Sequence, residues 1–97
     1  MDMETLMAQA QDLQSKISQA QDSLSKMHVK GIADNGAVVV TMTGKYDVLS
    51  VVVHPDTLSF GAGRVSQLVM DAYKDAKSKA DELIEKVMAS VTGGIPE

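Results

Sequence analysis

Cysteine and tryptophan are missing from this chain, and aromatic rings are scarce. Without cysteine there is no disulfide, no thiolate nucleophile and no cysteine-held zinc. Tyr46, Phe60 and Tyr73 are the only aromatics, too few for the row of exposed rings on which single-stranded nucleic acid stacks. Basic residues are outnumbered: 9 Lys and Arg stand against 13 Asp and Glu, a net charge of −4. Polyanions are held mainly by clustered Lys and Arg, so this balance lowers the expectation of nucleic-acid binding and leaves local clusters to be weighed. No apolar run approaches the ~18 residues of a membrane span. The first stretch, MDMETLMAQAQD, carries acids where a secretory signal would carry bases. The expectation is a soluble cytoplasmic protein that does not enter a membrane.

With 97 residues, 44% of them hydrophobic, the chain has enough for one domain with a modest core. From Met3 the apolar positions run Met3, Leu6, Ala10, Leu13, Ile17, Ala20, Leu24 and Met27, alternating steps of three and four. That is a coiled-coil type of seam on a long helix, predicted over 3–27. Within it the segment QAQDLQSK (9–16) returns ten residues later as QAQDSLSK (19–26). Ten is seven plus three, so the repeat moves Ala10 from one seam position to the other at Ala20, and the stripe survives. Each copy places an Asp four residues before a Lys, Asp12 with Lys16 and Asp22 with Lys26, in the favourable order for an exposed helical ion pair. The other polar positions are largely Gln and Ser: a solvated face, or a surface of uncharged donors and acceptors suited to phosphates or a protein groove.

The period then changes to two. HVKGIA (28–33), AVVVTMT (37–43) and YDVLSVVV (46–53) read as three strands in meander order. They are joined by Asp34-Asn35-Gly36, a strong hairpin signal, and by a turn at Gly44-Lys45. Val38, Val40 and Met42 point one way, Val39 and Thr41 the other. In the third strand Val48 and Val52 share one face, and Leu49, Val51 and Val53 the opposite one. Both faces are therefore apolar, which an antiparallel sheet wetted on one side does not show. His54-Pro55-Asp56 ends the sheet as a turn, with Asp56 as its cap. A second helix runs over 64–91, and Gly93, Gly94 and Pro96 supply its stop. At about 25 and 28 residues the helices span roughly 37 and 42 Å, whereas seven-residue strands reach about 23 Å. Helices that overhang a doubly apolar sheet argue for a homodimer whose sheets pack together and whose helices project in pairs. The interface candidates are Val38, Val40, Met42, Leu49, Val51 and Val53. The fold class is α+β: helix, three-stranded antiparallel meander, helix.

No catalytic constellation is visible. His28 has no acidic or histidine neighbour in sequence, no His-x-x-x-His motif is present, and no serine sits in a nucleophile elbow. The chain is expected to be no enzyme and to use no metal, cofactor or small-molecule substrate. Gly61-Ala62-Gly63-Arg64 opens a helix but lacks the rest of either glycine-rich nucleotide fingerprint; it reads as a loop, or as a backbone contact to a phosphate.

Taken in order, LMAQAQDLQSKI, the V-x-G followed by AVVVTMTGK, the V-x-x-V-x-V-H-P-D-T-L exit from the sheet, and MASVTGGIP resemble the YbaB/EbfC family of bacterial nucleoid-associated proteins over essentially the whole chain. The resemblance implies a dimer joined through its sheets, with helices projecting like the arms of tweezers, that binds double-stranded DNA in the nucleoid without catalysis. One departure is the entry to the second helix: relatives usually have several acids there, and this chain has SFGAGR. The basic residues of the helices, Lys16, Lys26, Arg64, Lys74, Lys77, Lys79 and Lys86, are then the candidate DNA contacts, directed mainly at the backbone. The alternative is a protein-interaction module of the replication or recombination machinery with little DNA affinity. The acids Asp71, Asp75, Asp81, Glu82 and Glu85, interleaved with the second helix's lysines, also fit an ordinary solvated face.

Overall fold

In the computed structural model, which describes residues 2–91, a helix α1 (Met3–Lys26) is followed by strands β1 (His28–Ala33), β2 (Val38–Thr43) and β3 (Val48–Val53). A short 3-10 segment (Pro55–Phe60) then leads into the long helix α2 (Ala62–Val91). The glycine and proline stop expected after α2 lies outside the described residues.

Helix α1 holds no glycine or proline and few β-branched residues, so little opposes the helical backbone. Its start is fixed by Asp2, whose side chain accepts a hydrogen bond from the Thr5 N–H at 2.8 Å. Such a cap satisfies one of the free N–H groups of the first turn. The bond favours the charged carboxylate and holds the Asp2 pKa below its ordinary value. The helix ends at Met27, which is extended and donates its N–H back to the Leu24 carbonyl. The predicted Asp12–Lys16 and Asp22–Lys26 ion pairs both close at 3.2 Å.

The sheet has the order β1-β2-β3, antiparallel throughout. Asp34 and Asn35 carry positive φ (49° and 57°) ahead of Gly36 (98°), a left-handed stretch that turns β1 into β2. Tyr46, expected in the third strand, sits instead in the turn before it, between β2 and β3, with φ 70°, and donates its N–H to the Thr43 carbonyl at 3.0 Å. The Thr43 hydroxyl accepts from the Lys45 and Asp47 N–H groups, so the turn consumes the two residues expected to begin β3. A bulge between Thr41 and Met42 then shifts the register. Val51 and Val53 pair with Val40 and Val38, but Val48 pairs with Met42. The extra residue of the bulge thereby puts Val48 on their face rather than on that of Val52.

Helix α2 lies across β1 and β2. Its buried stripe, Leu68, Ala72, Ala76 and Ala80, meets Val38, Val40 and Met42 in the core. Each large side chain so buried contributes about 1.5–3 kcal/mol. The alanines and Gly31 let helix and strand approach closely. A Cβ on Gly31 would stand 1.9 Å from the Ala72 carbonyl oxygen, so only glycine fits there. This corrects the expected interface. Val38, Val40 and Met42 are at most 1% exposed within one protomer and have no surface left to offer a second. Both faces of the sheet are apolar in sequence, and α2 covers this one. The opposite face stays open at Ile32 and Val52, and β3 is exposed along Val48, Leu49, Val51 and Val52.

The sheet's two edges also differ. On β1, the Ile32 N–H donates to the Asp75 carboxylate (2.9 Å) and Lys79 donates to the Lys30 carbonyl (2.7 Å). Asp75 and Lys79 are themselves paired at 3.0 Å. The Ile32 N–H, with help from Lys79, keeps the Asp75 pKa below its ordinary value. Two side chains of α2 thus close an edge that would otherwise invite strand addition. No comparable clamp covers β3 among the described residues. At the far end of the sheet, Tyr46 donates its hydroxyl to Asp81, which raises the phenol pKa, and Lys77 stands 5.6 Å over the Tyr46 ring.

After β3 the chain turns at His54-Pro55-Asp56 as expected, but the cap is different. The His54 ring nitrogen Nδ1 accepts from the Asp56 N–H at 3.2 Å, so His54 rather than Asp56 caps the 3-10 segment. Thr57 anchors the segment by donating its hydroxyl to the Ala37 carbonyl at 3.3 Å. Gly61, at φ 91°, releases the chain into α2, which starts at Ala62, two residues before the expected Arg64.

Candidate nucleic-acid interface

Beyond the sheet the two helices run together and leave a cleft of about 530 Å³ between them. Ala20 and Val87 belong to its apolar lining. Lys16 from α1 and Lys86 from α2 line it too, with Gln19, Ser23 and Ser90 as uncharged donors and acceptors, and no carboxylate is among the described residues that line it. In a chain with more acids than bases, this is a locally positive groove. Only charge within about a Debye length, ~8 Å at physiological salt, matters to a phosphate seated there. Asp12 partly neutralises Lys16 through an exposed ion pair, a weak and salt-sensitive contact that a phosphate can replace. Lys86 makes no ion pair among the described residues.

The remaining basic candidates are not gathered at this groove. Lys26 pairs with Asp22 on the outside of α1. Lys79 is committed to the β1 edge through Lys30 and Asp75, and Lys77 to Asp81 and the Tyr46 ring. Arg64 and Lys74 are exposed on α2 and line no part of the cleft. Of the seven helical basic residues singled out in the sequence, the structure brings Lys16 and Lys86 together. Their juxtaposition depends on how α1 docks on α2, which spacing along either helix does not report. The small-residue row Ala72, Ala76, Ala80 opposite Gly31 is the one signal that could have placed α2 on the sheet, and with it the arms.

His54 is engaged as a cap, and no group of three metal-ligating side chains occurs among the described residues. Within the same residues no helix is long and apolar enough to cross a membrane.

Comparison with known proteins agrees with this architecture. Residues 1–95 match the family model described as the YbaB/EbfC DNA-binding family. The nucleoid-associated protein bll8115 of Bradyrhizobium diazoefficiens is 40% identical over 91 residues, covering 93% of this chain and 86% of that protein. The nucleoid-associated protein BAV0915 of Bordetella avium is 36% identical over 91 residues, covering 94% and 84%. In structure, an uncharacterized protein of Helicobacter pylori, HP0035, superposes with a TM-score of 0.65 over 91% of this chain and 98% of its own, at 15% identity, a likeness of fold. A match across nearly the whole length, in sequence and in element order, places the chain in the YbaB/EbfC DNA-binding family.

Proposed function

We propose that this protein is a nucleoid-associated DNA-binding protein that acts as a homodimer. It holds the backbone of double-stranded DNA along its helical arms with weak sequence preference, and it performs no catalysis. The observation that carries the reading is the cleft that brings together Lys16 and Lys86 from its two helices, with no carboxylate among the described residues lining it. Family membership and the nucleoid-associated relatives support DNA as the ligand and the nucleoid as its place. Lysines and hydroxyls offered by helix faces position a phosphate chain but carry no pattern of base-edge recognition. The charge of −4 per chain is doubled in a dimer. That charge keeps affinity in the micromolar range of non-specific binders, about 10⁻⁴–10⁻⁶ M.

The dimer itself is supported by the surface that one protomer leaves uncovered. Ile32 and Val52 on the open sheet face, and Leu49 and Val51 on β3, are each about half exposed. With the β1 edge closed by Asp75 and Lys79, β3 and the open face are where a second copy fits. Val52→Asp tests this contact without touching the protomer's core. Val40→Asp does not, because it buries a charge under α2 and unfolds the chain.

The deciding experiment is DNA affinity measured across a salt series. Binding should weaken linearly in log–log form, by about 0.9 per phosphate contact. Replacing Lys16 and Lys86 by Gln should lower affinity equally for all sequences and flatten that slope, while Lys30→Gln with Lys45→Gln leaves both unchanged. No binding even at low salt would overturn the proposal in favour of a protein-interaction module of the replication or recombination machinery. An unchanged slope in the Lys16/Lys86 variant would move the grip to Arg64 and Lys74.

A further inference from the structure

Among the described residues, nothing is packed against the outer half of α1. Every described residue up to Lys16 is exposed, including Met3 (72%), Leu6 (45%), Met7 (58%) and Leu13 (48%), whereas Ala20 and Leu24 further along are buried. Yet the seam that buries Ala20 and Leu24 continues without a break through Leu13, Ala10, Leu6 and Met3. A helix lying on a globular core shows a broad apolar stripe. A strict three-four seam is the narrower pattern of one helix against one other helix.

We infer that this free half of α1 is an interaction surface for the same half of a second copy, in an antiparallel coiled coil. The heptad assignment selects that partner. Met3 and Ala10 occupy a positions, Leu6 and Leu13 d positions. An antiparallel pair sets a against d, so Met3 of one copy meets Leu13 of the other, and Leu6 meets Ala10, each twice by symmetry. The small Ala10 opposite Leu6 gives the alternation of large and small side chains that fills a seam without clash. The flanking g positions are Asp2, Gln9 and Lys16. In this register Asp2 faces Lys16 of the second copy at both ends, Gln9 faces its own counterpart, and Met7 at e meets Met7. Charge complementarity thus arises from one sequence read against itself. A parallel pair would crowd Asp2 and Glu4 of both copies at one end and offer no opposite-charge pair.

The helix is also ready for the contact. Its N-terminus is capped by Asp2, its first repeat is closed by the Asp12–Lys16 pair, and its inner half is docked on the protomer. Association therefore need not nucleate a helix, the step that makes isolated short helices marginal. Four seam layers form a small interface, of the size class of weak, transient contacts. Joined to the two-armed dimer proposed above, it would link dimers through their arms; the arm contact itself does not depend on that dimer or on DNA.

The absence of cysteine makes the test direct. Gln9→Cys, treated with a short bismaleimide at rising protein concentration, should give a crosslinked pair. Adding Leu6→Glu in the same chain should reduce the yield at least tenfold with the helical circular dichroism unchanged. Leu13→Cys should crosslink poorly to itself, because the antiparallel register places the two copies of Leu13 at opposite ends. A parallel pair would reverse the order, with Leu13→Cys reacting well and Gln9→Cys poorly, and would overturn the register. Crosslinking of Gln9→Cys that is absent, or that Leu6→Glu leaves intact, would overturn the interaction itself.

Discussion

The two copies of the repeat in α1 have six of eight residues in common and opposite fates. Both are helical, and both close an Asp–Lys pair at 3.2 Å. Residues 9–16 are all exposed, while residues 19–26 sink Ala20 and Leu24 into the protomer. The two positions that differ are Leu13-Gln14 in the first copy and Ser23-Leu24 in the second. That exchange moves the leucine by one residue and keeps it on the seam after a ten-residue step. Helix formation and ion pairing are thus local properties that the repeat copies faithfully. Burial is not local: it is decided by what stands opposite, and among the described residues the second copy packs on α2 and the Gly44 turn, whereas the first reaches only the cleft, through Lys16.

The most severe way to break the comparison is to truncate the leucine in each copy. Leu24 is buried, at 4% exposure. Leu24→Ala therefore removes a core side chain and should cost about 2–5 kcal/mol in urea unfolding. Leu13 is open to solvent on the free arm. Leu13→Ala should change stability by no more than about 0.5 kcal/mol, the usual range for a surface substitution. Equal costs would mean that the outer arm is covered in solution by something that contributes as much as α2 does. The next effect comes from the far side of the contact. A Cβ on Gly44 would lie 2.8 Å from both the Leu24 Cδ2 and its carbonyl oxygen, and the Gly44 N–H donates to that carbonyl at 3.0 Å. Gly44→Ala should therefore destabilise by about 1–3 kcal/mol through overpacking. Amide exchange should speed up across residues 19–26 and leave 9–16 as before.

These contrasts show which parts of the molecule are legible in the sequence. The helices and the meander can be read because their hydrophobic periods, 3.5 to 3.6 and 2, are properties of consecutive residues. The side of the sheet that α2 covers cannot be read, because both faces are apolar and nothing within a strand distinguishes them. Alternation alone therefore offers Val38, Val40 and Met42 to a dimer, and the structure makes them the protomer's core. The phase of β3 is lost at the bulge beside Met42, which alternation does not register. Lys79 reads as one more lysine in a solvated i,i+4 row. Its bond to the Lys30 carbonyl joins residues 49 apart and appears only once α2 is laid on β1. The cleft holding Lys16 and Lys86 has the same origin: each residue is a candidate in sequence, and their sharing of one groove is tertiary.

Acid separates the free and docked regions more gently. Asp2 at the tip of the free arm and Asp75 at the β1 edge both have pKa values below the ordinary 3.8. A depressed folded-state pKa means the carboxylate contributes its stabilisation above the unfolded value and loses it as pH falls through the folded one. Both contributions should therefore be present at neutral pH and fade below about pH 4. The consequences differ by place. Losing the Asp2 cap should expose the Thr5 amide to exchange and fray only the arm's tip. Losing the Asp75 contact should expose the Ile32 amide and open the β1 edge. Asp75→Ala, which leaves no acceptor for the Ile32 N–H, should make Ile32 exchange fast at every pH and leave Thr5 unaffected. Simultaneous, equal loss at both amides would show that acid unfolds the molecule as a whole before either contact is lost.

The smallest effect on stability is the sharpest on function. Lys16→Gln and Lys26→Gln each remove one exposed i,i+4 pair of the same length. Pairs of this kind contribute a few tenths of a kcal/mol at most, so both variants should fold almost as well as the parent. The two are a matched pair for folding, since helix, spacing and partner residue type are the same in both copies of the repeat. They are not matched for the cleft, which Lys16 lines and Lys26 does not. Lys16→Gln should therefore weaken DNA binding and lower the salt slope by about 0.9 for each protomer engaged, the loss of one phosphate contact per arm, whereas Lys26→Gln keeps the wild-type slope. Because the stability terms cancel, a difference in DNA binding between the two cannot be blamed on a loosened helix. Equal losses would mean that α1 contributes only general positive charge and that the groove has no special role. A loss confined to Lys26→Gln would place the DNA on the outer face of the docked copy, away from Lys86.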